Sequence, residues 1–247
     1  MKSKFKLGLV LFLLGFSGVL STISMEFPLP QEAREILSQS FTSWQIKGLL
    51  LINPTIFLIL GITIGTLFYD KVNLTLPIIE KWLFGKKLPG LYPLAIIAVG
   101  GGLFSGLLIT LCTLFFQPYL PIEFLELGEK FRPSAIVRFL YGGFTEEIIV
   151  RFGIMTGIVW LSFRISRSLK PMTYWVGIIL SAIIFALLHL PLAYLLLETV
   201  DLTVLLYIIL ANSLGGVVFG WLYWRKGLET AILAHMVTHV VLILGHI

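Results

Sequence analysis

Long apolar stretches recur along this chain, and each is long enough to cross a lipid bilayer as a helix. A helix needs about 20 predominantly apolar residues to span the hydrocarbon core. Seven such runs lie near residues 7–24, 48–69, 92–117, 135–163, 173–196, 203–224 and 228–246. The run at 135–163 is longer than a bilayer requires, so we expect it to be tilted or to begin as a surface helix.

The composition places the chain among integral membrane proteins. Charged residues make up only 13% of the 247 residues and apolar residues 57%, whereas about a quarter of an ordinary globular domain is charged. So few charges cannot cover a water-facing surface, which excludes soluble, disordered and fibrous proteins. Abundant Leu, Ile and Phe, without a ten-residue alternating pattern, favour helices over an outer-membrane barrel. We therefore predict an all-α, polytopic transmembrane helix bundle.

The chain shows no internal division. It contains no Ser/Gly-rich linker, low-complexity tract or convincing repeat, so we predict one membrane-embedded domain over residues 1–247. The stretch 27–46 has mixed polarity, which is typical of a helix along the membrane interface. The first run resembles a secretory signal, but it is long and lacks a clear A-x-A site, so we expect a retained first span.

The basic residues are distributed unevenly between the two sides of the predicted bundle. The opposite loops carry only four basic residues and most of the acidic ones. Because basic loops stay in the cytoplasm, we predict a multi-pass protein of the cell membrane with a cytoplasmic N-terminus. We interpret the net charge of +5 as a topology signal and expect no nucleic acid partner. The twelve basic residues of the cytoplasmic side are Lys2, Lys4, Lys6, Lys71, Lys81, Lys86, Lys87, Arg164, Arg167, Lys170, Arg225 and Lys226.

Four ionisable residues lie inside the fourth apolar run: Arg138, Glu146, Glu147 and Arg151. A charge at the bilayer centre costs about 2.5–3.5 kcal/mol, so such residues usually face protein or water and serve a function. Glu147 and Arg151 are four residues apart and can form an intrahelical ion pair. Glu146 is rotated by about 100° from Glu147, which gives it a different neighbour and leaves it available for chemistry. Alternatively, both glutamates only pair with Arg138 or Arg151 and lock the bundle.

Three of the four histidines lie within apolar runs, at His189, His235 and His239. His235 and His239 are four residues apart and therefore lie on one helix face. Histidines in apolar stretches, together with intramembrane glutamates, indicate a polar site built inside the bundle. His246 is the penultimate residue, and we expect it at the interface or in solvent.

Glutamate and histidine together fit two hydrolytic chemistries, which the spacing does not separate. In the first, Glu146 accepts a proton from a water that His189 orients, while His235 and His239 donate hydrogen bonds to a developing oxyanion. In the second, a glutamate and the same three histidines bind zinc, whose water becomes the nucleophile. The H-E-x-x-H zinc motif itself is absent, because Met236 follows His235.

Three short motifs follow one another in the C-terminal half of the chain. They are E-E-x-x-x-R at 146–151, F-x-x-x-H at 185–189 and, after a Gly- and Trp-containing stretch at 220–227, the beginning of H-x-x-x-N at His235. In this order and within apolar helices, they resemble the CAAX-protease and bacteriocin-processing (CPBP, or Abi) family of intramembrane endopeptidases. The resemblance covers about residues 135–245.

The resemblance implies a helical bundle with a cavity reachable from water or lipid, in which a glutamate-activated water hydrolyses peptide bonds. It implies Glu146 as the general base, His189 as its assistant and His235 in the oxyanion site. It assigns supporting positions to Glu147 and Arg151. It favours a mechanism without a cofactor, with a zinc-dependent form as the alternative. Family members commonly have eight spans, so the expected count becomes seven to eight.

The third motif departs from the family pattern, because His239 occupies the position of its usual Asn. Imidazole can also donate a hydrogen bond, so His239 stays among the catalytic candidates, and as a zinc ligand in the metal-dependent alternative. The departure also favours a non-catalytic immunity or scaffold protein, and a transporter or proton relay is a further alternative. For an enzyme, the expected partners are membrane lipid and a peptide or membrane-protein tail, including prenylated C-a-a-X tails and leader peptides.

Overall fold

The computed structural model describes residues 2–25, 29, 31–88 and 90–245, which form helices with no β-strand among them. His246 lies outside the described residues. The first half contains α1 (Lys2–Ser21), α2 (Gln31–Ser40), α3 (Ser43–Leu50), α4 (Ile52–Phe68), α5 (Pro77–Phe84), α6 (Leu91–Phe116) and α7 (Ile122–Lys130). The second half contains α8 (Ala135–Val137), two π-helical segments (Arg138–Glu146 and Ile148–Met155), α9 (Thr156–Ser166), α10 (Pro171–Leu187), α11 (Leu190–Leu196), α12 (Leu202–Lys226) and α13 (Leu228–Leu244).

Among the described residues, six helical stretches are long and apolar enough to cross a membrane. They are Ser3–Ser24, Ser43–Val72, Leu91–Tyr119, Ala135–Ser166, Pro171–Leu196 and Leu202–Lys226. They coincide with the first six predicted runs, because an apolar segment in lipid must satisfy its backbone hydrogen bonds internally. The seventh run corresponds to α13, a shorter apolar helix of 17 residues. A multi-pass helical protein is therefore confirmed, whereas the count of seven to eight spans is not.

The described part of the stretch 27–46 forms α2 and the beginning of α3. A reciprocal cap at Thr42 starts α3. The Thr42 hydroxyl accepts a hydrogen bond from the backbone N–H of Gln45 at 3.4 Å, and the side-chain oxygen of Gln45 accepts one from the backbone N–H of Thr42 at 2.8 Å. Trp44, in the first turn of α3, is exposed. The location of this stretch at a membrane interface stays a prediction.

The stretch Ala135–Ser166, hereafter the motif helix, lies at the centre of the bundle. α1 packs against its first π-helical segment and α4 against its second, while α10 and α13 contact it as well. About 44% of its apolar part is buried, against 22–33% in the other five stretches. The motif helix therefore has protein on several faces, and this environment can accept intramembrane charges.

Small residues and one hydroxyl bring α1 and α4 close to the motif helix. Gly61 of α4 faces Gly153, and a Cβ on Gly153 would lie only 2.5 Å from the Gly61 Cα. Thr145 donates from Oγ1 to the carbonyl of Gly15 in α1 at 2.6 Å. In lipid, close packing of small residues and hydrogen bonds between helices hold a bundle together, because the surrounding tails are as apolar as the side chains.

Contacts with α5 and α6 position α13. Gly227 connects α12 to α13 with a φ of +98°, a backbone conformation that favours glycine. The Glu229 carboxylate, in the first turn of α13, accepts hydrogen bonds from the amides of Ile78 and Ile79 at 3.0 and 2.8 Å. Thr238 donates to a backbone carbonyl of α6 at 3.1 Å. These contacts determine the height at which α13 presents its histidines to the motif helix.

Candidate active site

A buried carboxylate, an arginine and a histidine meet where the motif helix contacts α13. The side chains of Glu147 and Arg151 are fully buried, and Arg151 Nη1 lies 3.3 Å from Glu147 Oε1. The same oxygen lies 2.9 Å from His235 Nδ1, which donates because an ionised carboxylate can only accept. The ion pair predicted from the spacing is present, and Glu147 also orients the His235 ring.

Two phenylalanines complete the surroundings of Arg151. The ring centroids of Phe185 and Phe219 lie 4.9 and 5.4 Å from its Cζ atom. Phe219 also stacks on His235, with 4.5 Å between centroids and 21° between planes. No guanidinium nitrogen has a hydrogen-bond partner among the described protein groups, so Glu147 and the ring faces balance the charge. Phe219 could not be predicted from the sequence, because an apolar residue in an apolar run carries no distinguishing signal.

Glu146 is the partly accessible carboxylate of the adjacent pair. Its side chain is 20% exposed, whereas that of Glu147 is fully buried. Its Oε2 lies 4.0 Å from His235 Nε2, which is beyond hydrogen-bond distance. The spacing predicted different neighbours for the two glutamates. In the structure both lie near the His235 ring, with Glu147 at Nδ1 and Glu146 facing Nε2. π-Helical backbone flanks Glu147 on both sides, and its wider turn rotates consecutive residues less than an α-helix does.

His189 lies at the edge of this cluster, just before α11. Its Nδ1 donates a hydrogen bond to the Phe185 carbonyl at 2.8 Å, which leaves Nε2 of the neutral ring as an acceptor. The His189 and Phe185 rings meet edge to face at 4.8 Å, and the Phe185 and His235 centroids are 6.4 Å apart. Among the described contacts, none joins His189 directly to Glu146. Their joint action on a water stays a prediction.

His239 extends the cluster along α13. Its ring stacks on His235, with 4.8 Å between centroids and 22° between planes. Both of its ring nitrogens are buried without a hydrogen-bond partner among the described protein groups. A Cβ on Gly142 would lie 2.5 Å from His239 Nε2, so only a glycine leaves room for the ring.

Arg138, which begins the first π-helical segment, donates to the Pro133 carbonyl at 3.3 Å.

A zinc site would require several donor atoms around one point. Within the part of the chain that the structure describes, no group of three or more His, Cys, Asp or Glu side chains is arranged to hold an ion. His235 Nδ1 is occupied by Glu147. The lone pairs of an imidazole lie in its ring plane, and the planes of His235 and His239 are nearly parallel, so their nitrogens do not converge.

Comparison with known protein families agrees with the motifs. Residues 129–241 match the family model described as Rce1-like, type II CAAX prenyl endopeptidase. No curated protein and no solved structure matches the chain. The matched segment contains all three motifs and both sides of the contact between Glu147 and His235. The match of residues 129–241 to the Rce1-like model of type II CAAX prenyl endopeptidases confirms the resemblance to the CAAX proteases.

Proposed function

We propose that the chain is a membrane-embedded endopeptidase that hydrolyses peptide bonds with a water activated by Glu146. One observation carries this proposal: two adjacent carboxylates have different environments. Glu147 is buried and engaged by Arg151 and His235, whereas Glu146 is partly exposed and faces His235 across 4.0 Å. A carboxylate with unengaged oxygens and access to water can act as a general base. The family match supports the reaction class.

The proposed reaction has two steps. In the first, Glu146 takes a proton from water while the water oxygen forms a bond to the scissile carbonyl carbon, whose oxygen becomes an oxyanion. In the second, the oxyanion reforms the carbonyl, the C–N bond breaks, and Glu146 returns its proton to the leaving nitrogen. The products are a carboxylic acid and an amine, and Glu146 is again a carboxylate.

His235 is proposed to stabilise the oxyanion. Its Nδ1 hydrogen is committed to Glu147, so Nε2 can donate only when the ring is protonated on both nitrogens. The Glu147 carboxylate at 2.9 Å stabilises this imidazolium, as a buried carboxylate does for the histidine of a serine hydrolase. The stacked Phe219 ring restrains the rotation of the imidazole. Glu147 and Arg151 are thus positioning residues that act through His235.

Two further histidines have proposed roles in the same reaction. The Nε2 of His189 is an acceptor, because Nδ1 donates to the Phe185 carbonyl, and it can orient the attacking water. His239, whose buried ring nitrogens have no partner among the described protein groups, is proposed to donate a second hydrogen bond to the oxyanion.

The proposed reaction uses no metal. The engagement of His235 by Glu147 and the parallel stacking of His235 and His239 favour direct use of the side chains over coordination of an ion. We expect cleavage to survive dialysis against a strong zinc chelator. Loss of cleavage that returns when zinc is added would contradict the metal-free reaction and favour the zinc-dependent form.

The proposed substrates are peptide or membrane-protein tails that reach the site from the lipid. Prenylated C-a-a-X tails come first among them, because the matching family is described as prenyl endopeptidases. We also propose that the protein resides in the cell membrane with its N-terminus in the cytoplasm. The distribution of Lys and Arg between the loops supports this orientation.

The decisive experiment is cleavage of a farnesylated C-a-a-X peptide by the purified full-length protein. Glu146→Gln preserves side-chain size but cannot accept the proton, so we expect at least about a 100-fold loss of rate with an unchanged melting temperature. Glu123→Gln replaces an exposed carboxylate of α7 and should cleave like the wild type. Wild-type cleavage by Glu146→Gln would refute the glutamate mechanism. Failure of the wild type on farnesylated, unmodified and leader peptides alike would refute the endopeptidase proposal.

A further inference from the structure

A groove lies away from the candidate active site, between the beginnings of α5 and α6 and the end of α12. Its volume is about 210 Å³. One wall is apolar, and two cations lie at the last turn of α12. The residues that line it include Pro77, Pro93, Leu94, Ile97, Arg225 and Lys226. None of them belongs to the Glu146–His235 cluster.

The groove is suited to an anion. Among the described residues that line it, Arg225 and Lys226 carry charge and no acidic side chain is present. No described ion pair occupies either cation. The acidic group in the next helix, Glu229, already accepts hydrogen bonds from the first turn of α5. A guanidinium beside an ammonium favours phosphate oxygens, which can accept two parallel hydrogen bonds from arginine.

The groove also lies where a membrane boundary is expected. One candidate membrane stretch begins at Leu91 and another ends at Lys226, so the groove is at the ends of both. The side chains of Leu91, Tyr92 and Ile96 are exposed beside it. Aromatic and aliphatic residues next to basic ones are typical of the level where lipid headgroups meet acyl chains.

We propose that this groove binds an anionic phospholipid. The phosphate would lie against Arg225 and Lys226, and the upper part of an acyl chain would follow the apolar wall formed by Leu94 and Ile97. Basic pockets between membrane helices on the cytoplasmic side bind anionic headgroups in this way. The proposal depends on the charge and shape of the groove and holds whether or not the chain is a protease.

The test is the melting temperature of the purified full-length protein in neutral detergent, with added lipid. Phosphatidylglycerol should raise it by about 5 °C, while phosphatidylcholine and inorganic phosphate should leave it unchanged. The double variant Arg225→Gln/Lys226→Gln should lose the shift. Arg167→Gln removes an exposed cation from another basic loop, outside the groove, and should keep it.

A second variant tests whether the groove itself is needed, without removing the two cations. Ile97→Trp fills the groove and keeps both cations, so it should also abolish the shift caused by phosphatidylglycerol. A full shift in either the double variant or Ile97→Trp would overturn the proposal. An equal shift with phosphatidylcholine would show that charge is irrelevant, and an equal shift with inorganic phosphate would show that the groove binds the free ion; both results overturn lipid binding as well.

Discussion

Two adjacent glutamates on the motif helix differ in what surrounds them. Glu147 shares one oxygen between Arg151 at 3.3 Å and His235 at 2.9 Å. Glu146 is 20% exposed and lies 4.0 Å from His235 Nε2. A buried charge is tolerable only when it is paired, so the buried Arg151 depends on the Glu147 carboxylate as its counter-charge. Glu146 does not pair with Arg151 in the described ion pairs, which leaves it available for the proposed proton transfer.

Replacing Glu147 with Gln should destabilise the protein, because Arg151 would remain buried without its counter-charge. Breaking a buried pair in this way costs about 3–5 kcal/mol, so we expect the melting temperature in detergent to fall by roughly 10 °C. Glu147→Leu/Arg151→Met removes both charges and should recover much of the loss, without recovering cleavage. An unchanged melting temperature for Glu147→Gln would show that the pair does not hold this site.

Gly142 limits the position of His239. A methyl group there would lie 2.5 Å from His239 Nε2, so in Gly142→Ala the ring must leave its stack on His235. We expect cleavage to slow by about 10- to 100-fold, the effect of a misplaced reacting group. Gly100→Ala is the control, because a Cβ at Gly100 of α6 meets nothing within 4 Å.

The double variant Gly142→Ala/His239→Asn tests whether a smaller side chain at position 239 relieves this clash and restores cleavage. Asparagine is smaller than histidine and can still donate a hydrogen bond, so it should relieve the clash. The double variant should therefore cleave faster than Gly142→Ala. Equal rates for the two would mean that Gly142 matters for another reason than the space it leaves for His239.

At the scale of elements, the candidate site is assembled between two helices. Glu147 and His235 are 88 positions apart in the chain, so the rotation and height of α13 decide whether they meet. α13 is apolar at most of its positions, so its pattern of apolar and polar residues defines its rotation only weakly. Its contacts with α5 and α6 supply that information, through Glu229 and Thr238 respectively.

Glu229→Ala should lower both stability and cleavage. It removes the acceptor of the Ile78 and Ile79 amides, and each lost hydrogen bond contributes about 1 kcal/mol. Glu229→Gln retains an acceptor oxygen and should preserve most of both properties. Melting temperature, kcat and KM measure the effect, with kcat expected to fall more than KM changes because α13 carries His235. If Glu229→Ala melts and cleaves like the wild type, α5 does not anchor α13.

At the scale of the whole molecule, most apolar surface faces outward. In the six candidate membrane stretches only 22–44% of the apolar part is buried, and the exposed side chains include many Leu, Ile and Phe residues. In water such continuous apolar patches would drive association. In a bilayer they contact lipid tails, while the polar groups of the motif helix turn toward protein. The bundle is therefore stable only with lipid or detergent around it.

The proposed orientation predicts which loops are accessible from outside the cell. Cys112 is the one cysteine of the chain, so Cys112→Ala gives a background for single-cysteine labelling. Exposed positions on the basic side, Lys87→Cys and Arg167→Cys, should react with a membrane-impermeant maleimide only after permeabilisation. Glu123→Cys, on the opposite side, should react in intact cells. Labelling of Arg167→Cys in intact cells would overturn the orientation.

The sequence by itself determined the fold class and part of the site. Six apolar runs became membrane-length helices, because helix is the local structure that satisfies the backbone of such a run in lipid. The pair formed by Glu147 and Arg151 also followed from their spacing, since residues four apart on one helix are neighbours wherever that helix lies. Both inferences needed only interactions close along the chain.

Only the tertiary structure decided how the polar groups meet. The pairing of Glu147, rather than Glu146, with His235 Nδ1 depends on the π-helical backbone around Glu147 and on the rotation of α13. Phe219 belongs to α12 and His235 to α13, so the stacking of their rings depends on how these two helices pack against each other. These contacts join residues far apart in the chain, and no local pattern of apolar and polar residues specifies the rotation of one apolar helix against another.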